Sequence, residues 1–237
     1  MRLRFAWAGT VTALMFGLLL GSAAAWCEVG EPDPLEGFNR GVFEFNDVLD
    51  RNLLKPVAKG YQTVTPQFVD TGVSNVFTNL GKVPAFINHV LQWRLAEAGS
   101  DGRRFVVNST LGLFGLFDVA SKLGIEQYDT DLGVTLGRWG VGPGAYIVLP
   151  LLGPSTVRDG VSRGGDLFLH PLFYVDDDTT KWSLRALEMV DLRADLLSVE
   201  ELITGDRYVF LRNLYLQRRE FLITGELPED DFGDEDF

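Results

Sequence analysis

The chain has 237 residues, 46% of them hydrophobic, with a formal net charge of −12, one cysteine and two histidines. That acidic balance excludes nucleic acid, which needs a clustered basic surface, and a purely electrostatic hold on anionic lipid. So few histidines and cysteines also exclude a closed zinc site of four N or S ligands.

Residues 1–25 have the pattern of a secretory signal peptide. Arg2 and Arg4 form a positive n-region, Ala13–Leu20 an apolar h-region, and Ala23-Ala24-Ala25 an A-x-A cleavage site. An uncleaved anchor over Phe5–Ala25 is the alternative, and the small residues at the end favour cleavage. Cys27 is an odd cysteine in an exported chain. It is either a lipidation site or, after cleavage behind Ala25, an unmodified thiol, and bulky Trp26 directly before it favours the thiol. Without Arg2 and Arg4, 33 acidic residues outnumber 19 basic ones. Seven of those acids lie in the tail Glu226–Phe237, which has no basic residue and reads as a solvated, disordered extension.

The expected helical domain runs over 26–225. Asp33-Pro34-Leu35-Glu36 combines a cap, a proline suited to the first turn and an acid suited to a capping box. Phe38, Val42, Phe45, Leu49 and Leu53 follow as an amphipathic stripe, which Lys55-Pro56 ends. Thr65-Pro66 opens a second helix through Phe68, Val73, Val76, Phe77 and Leu80, stopped by Gly81. A third starts near Pro84. Its apolar residues Val83, Phe86, Ile87, Val90, Leu91, Trp93 and Leu95 cover an arc of ~200°. Such an arc suits either a central core helix or one with protein on one side and acyl chains on the other. Ser100-Asp101 caps a fourth helix through Phe105, Val106 and Val107. Leu111–Ala120 is a dense apolar patch broken by Gly112 and Gly115.

Thr135–Asp159, TLGRWGVGPGAYIVLPLLGPSTVRD, is the most informative segment. Glycines loosen it and Pro143 fixes one torsion. Its apolar run Ala145–Leu152 is too greasy for an exposed loop and far shorter than the ~20 residues of a spanning helix. It reads as an element buried in protein or dipped into lipid. Arg158–Val175 reads as loop-rich. Asp176-Asp177-Asp178 caps a helix over Lys181–Leu197, and a last helix, Asp206–Ile223, ends at Gly225. Alternating strand patterns are almost absent, so the class is all-α.

No metal or cofactor site emerges. His89 reads as a packed core residue, and Asp176–Asp178 lacks the alternating ligands and turn glycine of a calcium loop. Gly160-Val161-Ser162-Arg163-Gly164 matches the G-x-S-x-G nucleophile elbow, so a lipolytic enzyme using Ser162 is the alternative function. The elbow needs a strand before it and an acid, then a histidine, well downstream. Thr156–Asp159 is a poor strand and His170 is too near. No G-x-x-x-x-G-K-[ST] motif is present.

DPLEGFNR (Asp33–Arg40), VVNSTLGLFGLFDVA (Val106–Ala120), Thr135–Asp159 and YLQRREFL (Tyr215–Leu222), in this order, resemble the MlaA (VacJ) family of outer-membrane phospholipid-transport lipoproteins. The residues before Cys27 depart from that family's lipidation site. The resemblance implies a non-enzymatic protein: a ring of amphipathic helices in the inner leaflet of a Gram-negative outer membrane, around a hydrophilic channel. It implies association with a trimeric porin. Phospholipid misplaced in the outer leaflet would pass through the channel to a soluble periplasmic carrier, and on to an inner-membrane ABC transporter. Gly137, Arg138, Gly140, Gly142, Pro143, Gly144, Tyr146, Pro150 and Gly153 would form a mobile hairpin at the channel wall. Arg138, Arg158 and Arg163, which flank it, are the candidate phosphate contacts.

Overall fold

A computed structural model describes residues 33–200, 203 and 205–226. The signal segment, Cys27 and all but the first residue of the acidic tail lie outside the described residues. Within them the chain forms nine α-helices, one π-helical segment, one short 3-10 helix and a single β-hairpin.

Helix α1 (Glu36–Leu49) does not end at Lys55-Pro56. It runs through a π-helical segment, Asp50–Leu54, into α2 (Lys55–Val64), with helical torsions at both joints. A π-turn absorbs an extra residue without ending a helix, and Pro56 follows directly on it, in the first turn of α2. Phe38, Phe45 and Leu53 of the α1 stripe are exposed, while Asn39 is fully buried.

The second and third expected helices are one helix, α3 (Gln67–Leu91), which passes through Gly81 and Pro84. An interior proline costs about 3 kcal/mol or more. Close packing along α4 (Leu95–Thr110) and buried bonds on both sides of Pro84 offset it. Asn79 Nδ2 donates to Ser109 Oγ at 2.9 Å, and His89 Nδ1 lies 2.6 Å from Asp101 Oδ2. Ser100 and Asp101 therefore lie buried inside α4 and bond across the structure, with Ser100 Oγ donating to the Glu126 carbonyl at 2.7 Å. On α3, Lys82, Ala85, Asn88 and His89 are buried, whereas Phe86, Val90 and Leu91 are exposed. The wide apolar arc thus faces outward and the polar face inward.

After α4 the chain turns through Leu113 and Phe114, both left-handed at φ 52° and 61°. Gly115 follows at φ 94°, where a Cβ would stand 2.9 Å from that of Asn79. The turn displays its apolar side chains, Phe114 at 85% exposure. Asp118 then caps α5 (Val119–Lys122), and Asp131 caps α6 (Leu132–Arg138). Strands β1 (Tyr146–Leu149) and β2 (Gly153–Thr156) pair antiparallel, Tyr146 opposite Thr156. The expected loop over Arg158–Val175 is instead helix α7 (Val157–Leu169), followed by the 3-10 helix Pro171–Tyr174. Glycine weakens helix propensity, but Gly165 lets α6 press close, since a Cβ there would stand 2.4 Å from Leu132 Cδ2. Helix α8 (Asp178–Asp195) is capped by Asp177, and α9 (Arg207–Thr224) ends at Gly225 with φ 83°.

Burial is inverted relative to an ordinary globule. Among the described residues, 18 polar or charged residues are buried against 11 hydrophobic ones, while 39 large hydrophobics are exposed. Exposed apolar residues occur singly on any protein; this many mark an interaction surface. The one hydrophobic cluster of buried residues, Tyr146, Val148, Tyr208 and Leu216, lies where β1 meets α1 and α9. No described helix is long and apolar enough to cross a membrane.

Arg104, 1% exposed, is the hub of the polar interior. It donates to the Ile125 carbonyl at 2.5 Å, to Asp118 at 2.9 Å and to Ser121 Oγ at 3.0 Å. Arg104→Leu leaves half-buried Asp118 with only its bonds from Ser121 and Asn108 and the Ile125 carbonyl without its donor. The expected loss is about 1–3 kcal/mol, seen as a lower thermal midpoint in detergent. A second test uses Asp166, whose oxygens both accept from the Leu132 N–H at 3.0 Å and one from Asn88 Nδ2 at 3.1 Å. Burial, then the Asp131 charge, pushes its carboxyl up to about 6 from 3.8. The folded state therefore holds this proton more tightly than the unfolded chain. Its contribution to stability is full below pH ~4 and is lost as pH rises through ~6. Asp166→Asn, which cannot ionise, should gain on the order of 1–2 kcal/mol over wild type at neutral pH and nothing near pH ~4, measured as paired unfolding midpoints.

Candidate functional site

The hairpin is suspended from α1 by two asparagines. Asn39 donates to the Tyr146 carbonyl at 3.0 Å and accepts from the Val148 N–H at 2.8 Å. Asn46 donates to the Leu149 carbonyl at 3.0 Å and accepts from the Leu151 N–H at 2.8 Å. Each carboxamide supplies one donor and one acceptor, as a neighbouring strand would. The spacing makes this possible. Seven residues of helix rise ~10.5 Å, and three residues of strand advance ~10 Å. Asn39 is held in turn by Asp33 Oδ2, which accepts from its Nδ2 at 2.9 Å and also from the Tyr208 hydroxyl.

The expected hairpin residues divide in two. Gly137 and Arg138 belong to α6, upstream of the hairpin, and a Cβ on Gly137 would stand 2.6 Å from Ile223. Gly140 and Gly144 take left-handed torsions, φ 89° and 68°, in the segment leading to β1, with Gly142 and Pro143 between them. Tyr146 is buried and opens β1, Pro150 begins the turn, and Gly153 at φ 74° closes it. The tip residues Leu151 and Leu152 are exposed.

A cavity of about 480 Å³ lies between α3, residues 127–131, α7 and α9. Four cations line it, Lys82, Arg163, Arg218 and Arg219, against two carboxylates, Asp129 and Asp131. Arg219 is the most compensated, 2.5 Å from Asp131 and 2.9 Å from Asp159. Burial works against its charge, but those carboxylates outweigh burial. Asp159 is raised by burial, yet Arg158, Arg219 and the Tyr215 hydroxyl at 2.6 Å hold it below the usual carboxylate range. Lys82 donates to the Tyr128 carbonyl at 2.9 Å and lies 3.6 Å from Asp101; burial pushes its ammonium down. Arg218 reaches Asp129 at 3.3 Å. Arg163 lies 3.2 Å from the Leu152 carbonyl and 3.0 Å from that of Pro154, and has no carboxylate partner among the described residues.

The three expected phosphate contacts are therefore not one cluster. Arg163 lines the cavity. Arg158 is buried, bonded to Asp159 at 2.9 Å and to the Val141 carbonyl at 3.1 Å. Arg138 donates to the Leu222 carbonyl at 2.7 Å, and burial, then Arg94, lowers its guanidinium. Lys82, Arg218, Arg219 and the two asparagines escaped the sequence reading. Only the seven-residue repeat of asparagine on α1 offered a signal.

Ser162 is buried within α7, well past the junction with β2, and donates to the Asp159 carbonyl at 2.9 Å. His170 instead caps the 3-10 helix, Nδ1 accepting from the Leu172 N–H at 3.3 Å. The elbow geometry is absent at this motif. Among the described residues no three His, Cys, Asp or Glu side chains group to hold a metal ion.

The MlaA lipoprotein family model matches residues 31–222. The chain is 35% identical over 226 residues to the intermembrane phospholipid transport system lipoprotein MlaA of Escherichia coli, covering 91% of this chain and 89% of that protein. It is 32% identical to the protein of the same name from Haemophilus influenzae, covering 83% and 82%. An uncharacterized protein of Rickettsia bellii is 35% identical, over 79% of this chain and 75% of its own length. A chain solved in work on the structural basis for maintenance of bacterial outer membrane lipid asymmetry superposes with a TM-score of 0.71 at 34% identity. That superposition covers 81% of this chain and all of the other. By family model, identity and fold together, this chain belongs to the MlaA lipoprotein family.

Proposed function

We propose that this protein is the outer-membrane component of intermembrane phospholipid transport in a Gram-negative bacterium, and that it maintains lipid asymmetry by removing phospholipid from the outer leaflet. The observation that carries this reading is the inversion of burial: polar groups inside, large apolar side chains outside. A phospholipid has a polar head and two apolar tails, so its path needs both surfaces. The helices stand as a ring in the inner leaflet, with exposed faces such as Phe86, Val90 and Phe114 against acyl chains. Such a disc needs no spanning helix. The cavity bounded by Lys82, Arg163 and Arg218 passes the headgroup. Its volume of about 480 Å³ is within the ~300–1,000 Å³ range of small-ligand sites. A trimeric porin holds the ring in place, and a soluble periplasmic carrier receives the lipid for an inner-membrane ABC transporter.

The step is movement without bond-breaking, and the hairpin is its mobile part. Residues Gly140–Gly144 serve as the hinge and the tip Leu151-Leu152 as the moving edge. Arg163 is the phosphate contact among the three arginines at the hairpin, joined by Lys82 and Arg218, while Arg158 and Arg138 shape the wall.

Gly142 has nothing within 4 Å of where a Cβ would stand. Gly142→Pro therefore meets nothing at its Cβ and fixes one torsion of the hinge. The expected outcome is several-fold more phospholipid in the outer leaflet of cells carrying the variant, measured by outer-leaflet acylation or labelling. Wild-type levels would refute the hinge. Ser162→Ala should leave lipid asymmetry at the wild-type level; its loss in a folded variant would favour a lipolytic reaction instead.

A further inference from the structure

Arg163 differs from the other cations of the cavity in what it holds. Arg219 is bound by two carboxylates, Arg218 by one, and Lys82 is buried beside Asp101. Arg163 gives its two guanidinium NH2 groups to neutral carbonyls, those of Leu152 and Pro154, at 3.2 and 3.0 Å. These carbonyls flank Gly153, where the turn becomes β2. Arg163 therefore lines the cavity while its guanidinium holds the hairpin.

The other strand is anchored differently. Asn39 and Asn46 fix β1 and reach only as far as the Leu151 N–H. Beyond Leu151, Arg163 is the side chain that holds the turn. The turn has weak support of its own, with Leu151 in a left-handed conformation at φ 66° and both tip leucines exposed. A non-glycine residue in that region stores roughly 1–3 kcal/mol.

We propose that Arg163 is a phosphate-responsive latch. A phosphate group entering the cavity takes the guanidinium from the Leu152 and Pro154 carbonyls and so frees the hairpin turn. The exchange runs in this direction for a chemical reason. The carbonyls that hold Arg163 now are neutral, whereas a phosphate adds the attraction of a full negative charge and matches the guanidinium in a two-pronged fork. No bond is made or broken and no proton moves. The latch makes the hairpin answer to the headgroup and not to the tails, so an apolar lipid lacking phosphate would leave it shut. This inference rests on the reading of the cavity as a phospholipid path.

The test is hydrogen–deuterium exchange of the hairpin in the full mature chain in detergent. It is run alone, with dihexanoylphosphatidylethanolamine, with dihexanoylglycerol and with inorganic phosphate. Native mass spectrometry of the same samples counts bound lipid. In the wild type the phospholipid should speed exchange at the amides of Leu152, Gly153 and Ser155 several-fold, and dihexanoylglycerol should not. Inorganic phosphate producing the same change assigns the latch to the free anion as well; its failure to do so assigns the latch to the lipid headgroup. Arg163→Gln should exchange fast from the start and respond to nothing. Arg163→Lys keeps the charge but loses the fork, and should respond less than wild type. It also serves as the measurement if Arg163→Gln does not fold by circular dichroism. Bound phospholipid with an unchanged hairpin, or an equal response in either variant, overturns the latch and leaves the transport reading standing. No bound phospholipid at all overturns both.

Discussion

The interior of this protein is held by directional polar bonds, and every other feature follows from that constraint. Apolar burial tolerates small misfits, because it scales with area and has no direction. A buried guanidinium is more demanding, since an unpaired charge in the interior costs several kcal/mol. Arg104, Arg158 and Arg219 therefore each sit where carboxylates, hydroxyls or carbonyls converge on them. Their partners come from distant stretches of chain: Arg219 joins α9 to both Asp131 and Asp159. Such a network specifies one arrangement of helices, and it leaves the apolar side chains free to face outward. An inverted protein thus needs a second apolar phase to complete it, and in the proposed function a lipid leaflet supplies that phase.

The exception to this inversion explains the hairpin. The buried apolar cluster lies under β1, where Tyr146 and Val148 meet Tyr208 and Leu216. The ring of Tyr208 stands edge-on to Phe43 at 5.7 Å and to Tyr146 at 6.2 Å. With Asn39 and Asn46 bonded along its edge, β1 is a rigid rail. In the proposed function, mobility is left to what the rail does not include: the glycines before it and the tip after it. A firm base with a loose edge is the arrangement a moving wall needs, because the hinge decides where the motion begins and the rail keeps it from spreading into the helices.

The sequence was legible where the deciding interaction is local. Asp177 and Asp206 cap the helices they precede, and Gly225 ends α9, because each acts within a few residues of itself. The sequence misled where a distant partner decides. Gly81 read as the end of one helix and Pro84 as the start of another, and α4 with its buried hydrogen bonds carries α3 through both. Arg158–Val175 read as loop-rich, yet most of it is helix α7, where Gly165 makes room for Leu132. Ser100 and Asp101 look like a cap, but their bonds go to Glu126 and His89. The cavity was illegible for the same reason. Lys82, Arg163 and Arg218 come from three helices, and no local pattern announces that they share a space. Motifs failed in the converse way: G-x-S-x-G around Ser162 is a local match whose structural setting is missing.

Charge in the cavity is graded, and the grading bears on passage. The whole chain carries −12, but four cations face two carboxylates where the headgroup would travel. In a partly desolvated space that excess attracts anions more strongly than the same charges on the surface. A path must not bind its cargo too well, since transit requires a site favourable enough to enter and weak enough to leave. Asp131 and Asp159 take up the charge of Arg219, Asp129 shares that of Arg218, and burial weakens Lys82. An unopposed row of four cations would trap a phosphate. The paired carboxylates leave instead one arginine whose bonds are to neutral oxygens, so in the proposed function a passing phosphate would meet one strong contact, Arg163, beside the weaker Lys82 and Arg218.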